Sequence, residues 1–361
     1  MEQRLNKLRQ RFRSLGVANF LVTRLSNVRW LCGYTGSNGL LLVTGREAFF
    51  ITDGRYINQA QKQVKDAKVL IYSGGKNISD AFIRELKINK EVRFKGRVGI
   101  DAPHITVEMY LVFREYFPKS ELVSTENVVE DLAMIHEKDE IDAIRKAVKI
   151  TDTVFKEILP LIKPGIRELD IAAEIIYRHM QHGADKNAFE SIVASGPRSA
   201  MPHGIASNRK ITPGDFVTLD FGCLYNGYPS DMTRTVVVGK ASEKQKKIYN
   251  IVYETQETCR EAVVPGAKCS DIHNLSRKMI EDAGYGKYYT HSLGHGLGLE
   301  VHARPTLSHL SNTILEPGMI VTVEPGIYID RFGGVRIEDD LLVTENGHEV
   351  LNRSPRQLME L

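Results

Sequence analysis

The sequence predicts an α+β protein in two parts: a smaller N-terminal α/β domain, then a larger domain built from two related halves. Two observations carry that expectation. The tract Pro213-Gly214-Asp215-Phe216-Val217-Thr218-Leu219-Asp220-Phe221-Gly222 returns as Pro317-Gly318-Met319-Ile320-Val321-Thr322-Val323-Glu324-Pro325-Gly326, 104 residues further on. Pro164-Gly165, Asp170-Ile171 and Gly183 recur 101 residues later as Pro265-Gly266, Asp271-Ile272 and Gly284. The repeating unit is a helical stretch followed by strands, once over roughly 140–240 and again over roughly 243–345. Its period is too long and its copies too few for a solenoid.

Taken in order, residues 1–15 place Leu5, Leu8 and Phe12 at helical spacing. Short apolar runs at 19–22, 40–43, 48–52, 69–72 and 98–100 read as strands, with a helical stretch at 56–64 among them. Together they predict an α/β domain with a central sheet, ending near 130–135. The domains are therefore set at 1–133 and 134–361. Residues 137–161 carry Ile141, Ile144, Val148, Val154 and Ile158 in a long helical pattern that Pro164-Gly165 stops. A second helix is expected over 166–180. Strands at 217–221 and 235–238 follow, joined by a turn-rich link over 222–229. Helices at 243–262 and 271–283, then strands at 320–323 and 340–343, repeat the pattern. Strands of both copies are expected in one antiparallel sheet.

Composition narrows the function. The 48 basic residues are nearly balanced by 45 acidic ones, with no long basic run, so nothing favours nucleic acid as a partner. No apolar stretch reaches the length of a membrane span. The first residues are charged and lack a signal-peptide core. Cys32, Cys223, Cys259 and Cys269 show no C-x-x-C spacing, which fits a reduced, cytoplasmic setting.

The repeat matters most for its acids. Each copy ends a β-type run on a carboxylate, Asp220 or Glu324, and each supplies a second acid, Asp231 or Glu338. Carboxylates crowded together repel and need cations between them. His295 lies in Gly294-His295-Gly296-Leu297-Gly298, where glycines let the backbone pass close to a partner. Four carboxylates and one imidazole make a hard, oxygen-rich donor set. Two divalent ions would balance it, with a bridging hydroxide as the remaining anion. Mn²⁺, Co²⁺, Zn²⁺ or Fe²⁺ suits such a set. Two metals can generate hydroxide near neutral pH and polarise a carbonyl. His203 and His302 are spaced by nearly the repeat offset and are expected to face each other across a cleft. His291 lies four residues before His295, although the glycines argue against a helix there. Arg336 alternates with Glu338 along a strand and so shares its side.

At these residues the chain resembles the creatinase, aminopeptidase P and prolidase family, the pita-bread metallopeptidases. The stretches that carry the resemblance are Leu219-Asp220-Phe221-Gly222, Ser230-Asp231-Met232-Thr233-Arg234-Thr235, Gly294-His295-Gly296 through Glu300-Val301-His302, Glu324-Pro325-Gly326-Ile327-Tyr328, and Gly334-Val335-Arg336-Ile337-Glu338-Asp339. The N-terminal part, with Ser26-Asn27-Val28-Arg29-Trp30-Leu31 and Thr52-Asp53-Gly54-Arg55-Tyr56, is similar to the family's creatinase-type N-terminal domain.

The resemblance implies a pita-bread fold with an internal pseudo-two-fold repeat. It implies that Asp220 binds one metal, that His295 and Glu324 bind the other, and that Asp231 and Glu338 bridge. Glu324 would double as general base and proton shuttle. His203 and His302 would hold the substrate carbonyl and the tetrahedral intermediate, and His291 matches a histidine of proline-specific members. Arg336 would support the bridging carboxylates from behind. The substrate implied is a peptide or dipeptide with proline at the second position, the ion Mn²⁺ first, and the assembly a homodimer. Ala303-Arg304-Pro305 departs from relatives that carry an acid there, which bears on fine specificity. Three other readings share the fold: a methionine aminopeptidase, a metal-free creatinase, and a non-catalytic peptide-binding or chaperone module.

Overall fold

Residues 1–92 and 96–361 are described by the computed structural model of the chain, and they divide into two units, Met1–Ala133 and Met134–Leu361. The first unit is built on strands β1 (Asn19–Val22), β2 (Leu40–Thr44), β3 (Ala48–Asp53), β4 (Lys68–Tyr72), β5 (Val98–Asp101) and β6 (Leu122–Thr125). They form one sheet in the order β4-β3-β2-β1-β5-β6. β1, β2 and β3 run antiparallel to their neighbours in turn, while β3–β4, β1–β5 and β5–β6 are parallel. β1, β2 and β5 are buried along their whole length, as strands of a sheet covered on both faces must be. The helices are α1 (Glu2–Leu15), α2 (Leu25–Cys32), α3 (Ile57–Gln63), α4 (Ile78–Ile88), α5 (Val107–Tyr116) and α6 (Val128–Ala133). The stripe of α1 that faces inward is Leu5, Leu8 and Phe12, and the helix stops at Gly16 in the left-handed region.

The second unit opens with α7 (Lys138–Ile158) and α8 (Glu168–Gln181). α7 starts on a capping box between Glu137 and Glu140. Strands β7 (Lys186–Asn187), β8 (Ile192–Ser195), β9 (Phe216–Asp220), β10 (Cys223–Tyr225), β11 (Tyr228–Pro229) and β12 (Thr233–Val237) complete the first copy. The second copy has α9 (Glu243–Glu261), α10 (Cys269–Asp282) and β13 (Gly294–Gly296), β14 (Ala303–Leu307), β15 (Ile320–Val323), β16 (Gly326–Ile329), β17 (Gly333–Arg336), β18 (Asp339–Thr344) and β19 (Gly347–Val350). Each copy packs helix residues on its own strands, and helices also reach the other copy: Ile144 and Val148 of α7 join Ile320 and Leu342, and Tyr249 of α9 joins Phe216 and Val237. Val154, Ile171 and Ile175 pack with Val193, Val217 and Leu219 in the first. Cys259 and Ile272 pack with Leu293, Val321 and Val343 in the second. The repeated Pro-Gly pairs have a backbone reason: Gly214 at φ 85° and Gly318 at φ 93° turn the chain into β9 and β15.

One expectation needs correction. The strands of the two copies do not form one hydrogen-bonded sheet. The first copy's sheet runs β12-β9-β8 and the second's runs β14-β13-β15-β18-β19. Where the copies meet, side chains take up backbone groups that a ladder would have used: Arg336 N–H donates to Thr235 Oγ1 at 3.2 Å, and Thr235 Oγ1 donates back to the Arg336 carbonyl at 3.0 Å. A single backbone bond, Glu338 N–H to the Thr233 carbonyl at 3.1 Å, crosses beside them. Among the described residues, no helix is long and apolar enough to cross a membrane.

Candidate metal centre

Both copies present their acids by the same device. In the first, Asp220 ends β9 opposite Thr233 of β12. The chain between them folds into the small arm β10–β11, whose turn residues Asn226 and Gly227 both have positive φ, as a two-residue hairpin turn requires. Asp231 enters just before β12, and its N–H donates to Asp340 Oδ2 at 3.0 Å. In the second copy, Val323 of β15 faces Asp339 of β18, and Glu324 and Glu338 flank that last pair. The arm here is β16–β17. His295 comes from β13, which pairs with both β14 and β15. A Cβ at Gly294 would collide with the Thr322 carbonyl, and one at Gly296 with the Arg304 carbonyl. These two glycines let neighbouring strands close in on either side of His295.

Asp220, Asp231, His295, Glu324 and Glu338 line one cavity of about 550 Å³, together with His203, His291, His302 and Arg336. Ligand atoms of Asp231, His295 and Glu338 lie within 4.8 Å of one another. His295 Nε2 is 3.3 Å from Glu324 Oε1 and 3.6 Å from Asp231 Oδ2. His295 Nδ1 lies 3.2 Å from the Gly296 carbonyl, an arrangement that leaves Nε2 for the acids. The ring centroid of His302 is 4.5 Å from that of His295. Ala303 also lines the wall.

The electrostatics of these residues fit a cation site. Burial pushes the Asp231 carboxyl well above the usual carboxylate range, and Glu338, Asp220, Asp340 and Glu324 add to the rise. Glu338 is raised in the same way by burial, then by Glu324 and Asp220. Glu324 is pushed up to about 8 by burial, with Arg336 opposing and Asp220 adding. Burial lowers His295 to about 4, and His302 adds to the fall. Asp220 Oδ1 and Asp231 Oδ1 are buried without a hydrogen-bond partner. Unmatched carboxylate oxygens at this depth are costly unless a cation meets them. The donor set, four carboxylates with one imidazole, suits hard or borderline divalent ions.

Arg336, a residue expected at the site, and Thr233, Thr322 and Tyr328, which were not singled out from the sequence, hold the acids in place. Arg336 is the hub. Its Nη2 donates to Asp220 Oδ2 at 2.5 Å, Nη1 to Tyr328 Oη at 2.8 Å and to the Pro202 carbonyl at 3.1 Å, and Nε to Thr233 Oγ1 at 3.0 Å. Thr233 Oγ1 in turn donates to Glu338 Oε2 at 2.6 Å. Arg336 thus reaches Glu338 through a hydroxyl, although the two do not pair directly. Thr322 Oγ1 accepts the His295 N–H at 3.1 Å and donates to Glu324 Oε1 at 3.2 Å. His291 Nε2 lies 2.9 Å from Tyr328 Oη, and its Nδ1 2.7 Å from the Ser292 carbonyl. His291 is in irregular backbone before β13, so it reaches the cavity without a helix. The sequence alone assigns no individual role to Thr233, Thr322 or Tyr328. The available signal was position: Thr322 lies in the duplicated tract, and Thr233 and Tyr328 lie in the stretches that carry the family resemblance.

Comparison with known proteins agrees with this geometry. Residues 142–345 match Metallopeptidase family M24, and residues 4–135 match the Creatinase/Prolidase N-terminal domain. The Xaa-Pro dipeptidase of Pyrococcus furiosus is 38% identical over 360 residues, spanning 99% of this chain and 100% of that protein. A solved Xaa-Pro dipeptidase from Bacillus anthracis superimposes with a TM-score of 0.94 at 41% identity, covering 100% of this chain and 99% of that one. The crystal structure of an X-Pro aminopeptidase from Thermotoga maritima gives a TM-score of 0.89 at 32% identity, covering 99% of each chain.

Proposed function

The chain belongs to metallopeptidase family M24, with its pita-bread catalytic domain and creatinase-type N-terminal domain, and from that premise we propose that it hydrolyses the peptide bond between an N-terminal residue and proline, with Xaa-Pro dipeptides as substrates. One observation carries the reading: four acids and a histidine, drawn from both copies of the repeat, line a single cavity beside three further histidines and an arginine. Full-length similarity to proteins named Xaa-Pro dipeptidase supports the choice of substrate.

Asp220, Asp231, His295, Glu324 and Glu338 would hold two divalent ions, with Asp231 and Glu338 reaching both. Ligand hardness favours Mn²⁺, then Co²⁺, Zn²⁺ or Fe²⁺. When bound, such ions supply Lewis acidity toward a carbonyl and toward water. In this reading Glu324 takes the proton of the attacking water and delivers it to the proline nitrogen, as a carboxylate within hydrogen-bond reach can. His203 and His302 hold the substrate carbonyl oxygen as negative charge develops on it. The substrate's free amine sits beside Asp220, and His291 lines the wall it approaches. Arg336 fixes Asp220 directly and Glu338 through Thr233, which keeps the carboxylates oriented. A homodimer and a cytoplasmic setting belong to the same proposal. The four cysteines, all buried and free, support a reducing compartment.

The Thermotoga relative supports a second reading, an aminopeptidase acting on longer chains. One assay separates the readings. Protein reconstituted with Mn²⁺, Co²⁺ or Zn²⁺ is given Ala-Pro, Ala-Pro-Ala and Met-Ala-Ser. Cleavage of Ala-Pro alone supports the dipeptidase, and cleavage of Ala-Pro-Ala supports the aminopeptidase. Cleavage of Met-Ala-Ser without either proline peptide points to a methionine aminopeptidase. Binding of all three without turnover leaves only a peptide-binding module.

A further inference from the structure

A second cluster of metal-ligating side chains lies within the N-terminal unit. Asp101 ends β5, His104 sits in the turn after it, and Glu130 lies on α6. One ligand atom from each is within 4.8 Å of the other two. His104 Nε2 is 3.6 Å from Glu130 Oε1 and 3.9 Å from Asp101 Oδ2. Asp101 is only 3% exposed, yet its Oδ1 has no hydrogen-bond partner, and neither has Glu130 Oε2.

The cations and donors around them do not satisfy both acids. Asn27 Nδ2 donates to Asp101 Oδ2 at 3.2 Å and to Glu130 Oε1 at 2.8 Å. Arg24 Nη1 donates to Glu130 Oε1 at 3.1 Å and lies 3.0 Å from His104 Nε2. Among the described residues the guanidinium of Arg24 pairs with Glu130, and one oxygen of each acid stays unmatched. The guanidinium donates along fixed directions, whereas a small divalent ion draws oxygen and nitrogen ligands in from every side. The side chains of Arg24 and His104 are each 27% exposed, so the guanidinium has a path to water and an ion has a path in.

We propose that Asp101, His104 and Glu130 bind a divalent transition-metal ion, and that Arg24 is the cation it displaces. One imidazole and two carboxylates suit Zn²⁺, Co²⁺ or Mn²⁺. The ion ties the end of β5 to α6, the last helix of its unit.

The chain carries its own reporter. Trp30 is the only tryptophan and stands on α2, three residues after Asn27. Co²⁺ titrated into metal-free, full-length protein should quench its fluorescence. His104→Gln should weaken the apparent affinity at least about tenfold, as removal of metal-site groups does, and Arg24→Met should strengthen it. Glu130→Gln gives the same readout should the first variant fold poorly. Asp231→Asn, which damages the catalytic cavity, should leave the Trp30 response unchanged. The proposal is overturned by a wild-type protein that shows no quenching, by quenching that survives both His104→Gln and Glu130→Gln, or by quenching lost in Asp231→Asn alone.

Discussion

Arg336 and Asp220, one from each copy of the repeat, meet with Nη2 and Oδ2 at 2.5 Å, and the arginine side chain is only 4% exposed. The contact satisfies one oxygen of Asp220 and leaves the other without a partner. It is a direct link between the two copies of the repeat, and the same guanidinium reaches Glu338 through Thr233.

Arg336→Met should therefore lower kcat about 10–100-fold, the usual effect of removing a group that orients metal ligands. Arg336→Lys should not restore it, because a lysine ammonium cannot serve Asp220, Tyr328, the Pro202 carbonyl and Thr233 together. Steady-state kinetics on Ala-Pro, with metal content measured in parallel, check both variants. Full activity in Arg336→Lys would show that charge alone suffices.

Asp231→Asn removes an acid that clusters with both His295 and Glu338. Metal retention after gel filtration and Ala-Pro turnover should fall together, the latter more than about 100-fold. A metal-loaded Asp231→Asn protein with wild-type turnover would refute the ligand assignment.

Metal-free protein should lose stability between pH 6.5 and 8. Glu324 is raised from 4.5 to about 8 in the fold, so its contribution is full below 4.5 and disappears as pH rises through 8. His291 and His295 are lowered from 6.5 to about 4, so theirs is full above 6.5 and disappears as pH falls through 4. Above pH 6.5 the contributions of these two histidines are constant, and the raised carboxyls of Asp231 and Glu338 act in the same direction as Glu324. Bound ions favour ionised carboxylates and remove that loss. The difference in Tm between metal-loaded and metal-free protein should widen from pH 6.5 to 8, as measured by scanning calorimetry. A difference that narrows over this range contradicts the assignment.

Tyr328→Phe deletes the hydroxyl shared by His291 and Arg336. Buried polar groups left unmatched cost about 1–3 kcal/mol, so the variant should melt at a lower temperature with its metal content intact. Chemical denaturation of the metal-loaded protein reads the change. An unaltered midpoint would mean that water replaces the hydroxyl.

Much of this was legible in the sequence because duplication writes the same physics twice. The paired Pro-Gly turns, the run into β9 and β15, and the acids at their ends all announce themselves by repetition. The nine side chains expected in the site, from His203 to Glu338, do line one cavity. What stayed hidden were groups whose role depends on side-chain contacts that only the fold creates. Thr233 and Thr322 look like any β-branched strand residue until Glu338 and Glu324 are placed beside their hydroxyls. The expectation of a single sheet failed for a related reason. Strand pattern shows that segments are extended but not which edges pair, and here Thr235 takes up the backbone of Arg336 in place of a ladder. The Asp101, His104 and Glu130 cluster escaped notice because its members lie on a strand, a turn and a helix with no motif spacing.

Anomalous scattering from crystals grown with Mn²⁺ reads whether two ions sit among these five side chains. Two peaks should appear within reach of Asp220, Asp231, His295, Glu324 and Glu338, with Asp231 and Glu338 touching both. A fully active protein whose anomalous map is empty at those five side chains would contradict the account.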